Sequence, residues 1–120
     1  MGIQVPLNPG PRRNSSGQLL GPDNRRLLDF EVRGLAVIYW PIANAAQALE
    51  VARCESGLWT GAWNSTGEDS RGLWQLNLKA HPEFGTWNLF DPQINAYFAF
   101  HLWLAQGWGP WTCAHKLGYV

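Results

Sequence analysis

The chain has 120 residues, nine basic and nine acidic side chains, and only 15% charged residues, against about 25% in an ordinary soluble domain. That length suits one domain. Sparse, balanced charge excludes a protein built to neutralise nucleic-acid phosphates, and no apolar run reaches the roughly 20 residues of a membrane span; the longest, Leu35-Ala-Val-Ile-Tyr-Trp40, is stopped by Pro41. Residues 1–34 read as an extended arm, rich in proline (Pro6, Pro9, Pro11, Pro22), carrying Arg12-Arg13 and Arg25-Arg26, and too poor in apolar side chains to form a core. Within it, Leu28-Asp-Phe-Glu-Val-Arg33 alternates apolar and charged residues, which predicts a short strand with Leu28, Phe30 and Val32 on one face.

Residues 35–120 are the expected folded domain. From Ile42 the spacing turns helical: Ile42, Ala45, Ala46, Leu49 and Ala52 recur at three and four residues, and Gly57 is a natural stop. Residues 58–71, with Gly61, Asn64, Ser65, Thr66, Gly67 and the acidic pair Glu68-Asp69, suit a loop or small hairpin. A short helix is expected across Leu73 to Lys79, ending before Pro82. Asp91-Pro92 is the clearest helix start, a capping residue followed by proline at the first helical position, and that helix runs to Gln106 before Gly107. Apolar residues surround it nearly completely, as in a buried central helix.

Seven of the eight tryptophans lie between the two cysteines, Cys54 and Cys113. The pair fits neither a zinc spacing nor a CxxC redox motif. It reads as a structural disulfide, with two buried free thiols as the alternative. A disulfide closing about 60 residues would contribute roughly 4 kcal/mol and implies a location outside the cytosol.

Glu55 closes an apolar helix and opens a loop rich in polar and aromatic residues. The helix C-terminus carries partial negative charge, and burial among tryptophans also disfavours ionisation, so both effects favour a protonated carboxyl suited to general-acid work. The bland alternative is a solvated surface glutamate. His81, His101 and His115 are dispersed and read as structural; neither a metal nor a cofactor is expected.

Cys54-Glu55-Ser56-Gly57, then Arg71-Gly-Leu-Trp-Gln-Leu-Asn77, then the tail from Phe90-Asp-Pro to Gln106-Gly-Trp-Gly-Pro-Trp-Thr-Cys113, resemble the lysozyme and lytic transglycosylase superfamily over about residues 42–113. The tail is most similar to actinobacterial wall-lytic domains of the resuscitation-promoting type and to related phage proteins. The resemblance implies a mainly α, α+β lysozyme-like domain with a buried central helix, a minor β-hairpin and a Cys54–Cys113 disulfide. It also implies cleavage of the β-1,4 bond between N-acetylmuramic acid and N-acetylglucosamine, by hydrolysis or by transglycosylation to a 1,6-anhydro sugar, with Glu55 as catalytic acid. Asn64, Ser70, Trp74, Gln75, Asn77 and Trp108 are the expected substrate-binding residues: the amides and hydroxyl for the sugars' polar groups, the indoles for their ring faces, with loop capping the alternative for the amides and core filling for the indoles.

The catalytic aspartate of animal-type lysozymes falls at Ser70, with Asp69 one residue earlier in a shorter loop, so Asp69 is the candidate second carboxylate and an exposed turn its alternative. Peptidoglycan glycan strands are the expected partner, with no nucleic acid and no membrane insertion. A rival reading keeps the fold without turnover, as a glycan-binding or virion structural protein. The N-terminal Met-Gly-Ile-Gln-Val-Pro shows no conventional signal peptide, which a phage particle would reconcile with an extracytoplasmic disulfide; the arm would then attach the domain to a neighbouring virion protein.

Overall fold

A computed structural model describes residues 24–120. Most of the expected arm, including Arg12-Arg13 and its virion attachment, therefore lies outside the described residues. The element order is α1 (Asp29–Tyr39), α2 (Ile42–Ser56), β1 (Trp63–Asn64), β2 (Ser70–Arg71), β3 (Leu76–Asn77), a 3-10 helix (Pro82–Thr86), α3 (Pro92–Gln106) and α4 (Thr112–Lys116). The strands form one antiparallel sheet in the order β1-β2-β3. Helix α1 packs on α2 and α3, and α4 packs on α2.

Helix α1 replaces the strand expected at residues 28–33 and crosses residue 34, where arm and domain were expected to meet. The Glu31 carboxylate accepts a hydrogen bond from the Leu28 N–H, closing the first turn. Val32, Ala36 and Tyr39, spaced at four and three residues, then enter the core, whereas Phe30 stays 72% exposed. Alternation was the wrong period for this segment, because the buried side chains repeat at helical spacing. Pro41 then forces Trp40 into extended backbone and separates α1 from α2.

Helix α2 ends as expected at Gly57, which takes the left-handed conformation (φ 62°) and donates its N–H to the Arg53 carbonyl. Its buried face is Ala45, Ala48, Leu49, Val51 and Ala52; Ile42 and Ala46, expected on that face, are exposed. In α3, the Asp91 carboxylate accepts from the N–H groups of Gln93 and Ile94, and Pro92 occupies the first turn, as the sequence predicts. The helix runs through the core on Ile94, Asn95, Ala96, Ala99, Phe100 and Leu102, although Leu104 at its end is exposed.

No helix forms over residues 73–79. Gly72 (φ 79°) and Gln75 (φ 50°) are left-handed and break any helical path, and the chain turns into β3 instead. Asn95, fully buried on α3, holds this turn: its amide nitrogen donates to the Arg71 and Leu89 carbonyls, and its oxygen accepts from the Trp74 N–H, each at 2.9 Å. A Cβ on Gly72 would sit 2.3 Å from the Asn95 amide nitrogen and from the Leu89 carbonyl oxygen, so glycine is required there.

Trp40, Trp74, Trp108 and Trp111 lie in the core, whereas Trp59 and Trp63 are exposed. Trp40 stacks on Trp108 and contacts Trp74 and Phe100. The indole N–H groups of Trp74, Trp108 and Trp111 donate to the Ala48 carbonyl, the Gln47 side-chain oxygen and the Trp74 carbonyl, so these buried rings keep their polar ends paired. Cys54 and Cys113 form the disulfide, closing the chain across α2 and α4.

Candidate functional site

The last turn of α2, the hairpin, the loop after β3, the end of α3 and the turn into α4 surround a cleft of about 280 Å³. Glu55, Glu68, Ser70, Gln75, Asn77, His81 and Thr112 supply its polar lining, and Leu76, Ala80, Leu102, Pro110 and Trp111 its apolar lining.

Glu55 is half-buried at the C-terminal end of α2. The turn beneath it is fixed by Ser56, whose hydroxyl donates to the Ala52 carbonyl and accepts from the Leu58 N–H. One carboxylate oxygen accepts the Cys113 N–H at 3.3 Å. The disulfide therefore joins the residue before Glu55 to the residue whose amide holds its carboxylate. Burial pushes the Glu55 pKa up; the Cys113 amide opposes this, the negative charge of Glu68 adds to it, and Lys116 opposes it weakly. The result is a carboxyl biased towards its protonated form on the wall of a polar cleft.

Asp69 has the opposite environment. Arg71 clamps both its oxygens, at 2.8 and 3.0 Å, and the Trp63 indole N–H donates to one of them at 2.8 Å. Those Arg71 hydrogen bonds, with Trp63 and the nearby positive charges, hold the carboxyl below the usual aspartate range. The Arg71 guanidinium in turn lies over the rings of Trp63 and Phe90, 5.0 and 5.7 Å from their centroids. Asp69, the expected second carboxylate, is thus built into a cluster outside the cleft lining. The register explains it: Trp63 pairs with Arg71, while Ser70 pairs with Asn64 and Asn77. Asp69, just before β2, meets this Trp63–Arg71 pair, whereas Glu68 ends the turn one residue earlier, beside Ser70.

Among the other expected substrate-binding residues, Ser70, Gln75 and Asn77 come together on the cleft. The Ser70 hydroxyl donates to the Glu68 carboxylate at 2.5 Å. The Gln75 amide nitrogen donates to the Ala62 and Gly72 carbonyls, and the Asn77 oxygen accepts from the N–H groups of Asp69 and Lys79, so both side chains also brace the hairpin. Asn64 is exposed at the hairpin, where its oxygen accepts the Thr66 N–H, away from the cleft lining. Trp74 is 0% exposed and Trp108 is buried against Trp40; neither offers a ring face to a sugar, which corrects that expectation.

Two residues were missed. Glu68 shares the cleft with Glu55, and no local signal in the sequence separates it from its neighbour Asp69. Asn95, a lone amide in an otherwise apolar stretch of α3, carries the turn that presents Gln75; a polar residue in a buried helical stripe was its signal.

The sequence matches the family described as lysozyme-like domain over residues 36–113. The chain belongs to that family, whose relation to peptidoglycan glycosidases and transglycosylases agrees with the mainly helical fold and its small sheet. No curated protein matches the chain as a relative. Among the described residues, no helix is long and apolar enough to cross a membrane.

Proposed function

We propose that this protein cleaves the glycan strands of peptidoglycan at the β-1,4 bond between N-acetylmuramic acid and N-acetylglucosamine, with Glu55 as the general acid. The observation that carries this reading is the setting of Glu55: a half-buried carboxyl at a helix C-terminus, with a raised pKa, opening on a polar cleft. Its proton passes to the glycosidic oxygen as the C1–O4 bond breaks, so the leaving sugar departs as a neutral alcohol. Gln75, Asn77 and Thr112 line the cleft with groups that suit sugar hydroxyls and acetamides.

Hydrolysis is the leading chemistry. One observation favours transglycosylation as the second reading: Asp69, the expected base, is held by Arg71 and Trp63. In that reading Glu55, having given its proton to O4, takes one from the sugar's own 6-hydroxyl as that oxygen bonds to C1, which leaves a 1,6-anhydro end. The disulfide supports action outside the cytosol.

Purified peptidoglycan digested with the wild type and with Glu55→Gln tests the assignment. Soluble muropeptides from the wild type and a loss of about 100-fold or more in the variant are expected. Equal release by both overturns the role of Glu55. Sedimentation with peptidoglycan without any release by either protein identifies a glycan-binding domain instead.

A further inference from the structure

Hydrolysis requires a group that accepts a proton from the attacking water, and neither Ser70 at the family's motif position nor the clamped Asp69 provides it. Glu68 does stand in the cleft. It lines the same space as Glu55 but comes from the hairpin, not from α2. Its carboxylate is oriented by the Ser70 hydroxyl, which donates to it at 2.5 Å. Ser70 is itself buried and anchored by the pairing of β2 with β1 and β3, so it is a rigid support. The two carboxyl groups also feel each other electrostatically: negative charge on Glu68 adds to the upward shift that burial gives Glu55. Two carboxyl groups from different elements on one cleft, one of them biased towards its protonated form, are the pair that acid and base catalysis on one glycosidic bond requires.

We propose that Glu68 is the general base of hydrolysis, taking a proton from a water molecule whose oxygen bonds to C1 of the N-acetylmuramic acid while Glu55 protonates the departing O4. One C–O bond breaks and one forms, one proton enters Glu68 and one leaves Glu55, and transfer through solvent restores both groups. Water is the only co-reactant. This inference rests on the proposed glycan cleavage by Glu55.

The test is product analysis by mass spectrometry on purified peptidoglycan, with wild type, Glu68→Gln, Glu68→Ala and Asp69→Asn, each checked for folding by its thermal transition. Wild type should release hydrated reducing ends. Glu68→Gln, which preserves size and a partner for Ser70, should lower their formation by about 100-fold or more, and Asp69→Asn should retain most of it. Sodium azide should restore cleavage by folded Glu68→Ala and appear in the product as a glycosyl azide, which a merely structural role for Glu68 would not produce. Near-wild-type hydrated product from Glu68→Gln overturns the inference, as does failure of azide to rescue a folded variant. If the wild type makes only 1,6-anhydro ends and still requires Glu55, Glu68 is not a base for water, yet the proposed function stands. If cleavage is indifferent to Glu55, that function falls as well.

Discussion

Glu68 and Asp69 are adjacent in sequence and belong to opposite sides of one hairpin. Asp69 is clamped by Arg71 and Trp63 and held low in pKa; Glu68 opens on the cleft beside a carboxyl whose pKa is raised. The difference is one of place: Asp69 lies just before β2, beside Trp63 of β1 and Arg71 of β2, and Glu68 ends the turn before it, beside Ser70. It is also one of partners. Asp69 meets a guanidinium and an indole N–H, whereas Glu55, on the cleft side, meets one amide, a like charge and the negative end of a helix. Chemical type alone does not distinguish these carboxyl groups; the groups around them do.

The contrast can be broken most severely by reducing the disulfide. Opening the Cys54–Cys113 bond frees a separation of 59 residues, which should cost about 4 kcal/mol of stability. It should also lower glycan cleavage in the protein that stays folded, because the Cys113 amide is then no longer tied beside Glu55. Thermal melts and assays with and without reductant, at a temperature where the reduced form is folded, check both effects.

Asn95→Leu should follow in size. It leaves the Arg71 and Leu89 carbonyls and the Trp74 N–H without their buried partner, for a loss of about 3 kcal/mol by urea unfolding. Cleft and outer cluster should suffer together, since both depend on the turn that Asn95 holds.

A smaller effect, about 1 kcal/mol or less, is expected for Asp69→Asn, because its ion pair is partly exposed. Activity should stay within a few-fold of wild type. A loss as deep as that of a Glu55 variant would move Asp69 into the reaction and erase the distinction between the two sides.

The pH dependence of the two carboxyl groups should run in opposite directions. Glu55 is raised above its usual value near 4.5, so its contribution to stability is fully present below that value and is lost as pH rises through the folded pKa. Asp69 is lowered from 3.8, so its contribution is present above 3.8 and is lost as pH falls through the folded pKa. Melts from acid to neutral pH should show the acid-side loss shrinking in Asp69→Asn. The alkaline limb of cleavage, set by the protonated Glu55 among Glu68, Lys116 and the Cys113 amide, should shift to lower pH in the residual activity of Glu68→Gln.

Local signals made much of the fold legible. The Asp91-Pro92 cap and Gly107 mark both ends of α3, and Gly57 marks the end of α2, because capping chemistry acts within one turn of chain. The disulfide and the place of Glu55 in the cleft were likewise visible in the order of motifs. What failed depended on distant contacts. The alternating segment of α1 takes its period from packing of Val32, Ala36 and Tyr39 against the rest of the core. Trp74 and Trp108 could equally have been cleft or core by composition, and only the neighbours Trp40, Ala48 and Gln47 decide for core. Glu68 was passed over because the loop's own sequence does not say which of two adjacent carboxylates Arg71 and Trp63 hold and which reaches the cleft.

The most direct measurement compares the products of peptidoglycan digested by the wild type, Glu55→Gln and Asp69→Asn under identical conditions, at equal amounts of folded protein. Catalysis from the cleft side of the hairpin predicts disaccharide muropeptides from the wild type and from Asp69→Asn, and almost none from Glu55→Gln. Undiminished product from Glu55→Gln, with loss confined to Asp69→Asn, would contradict it.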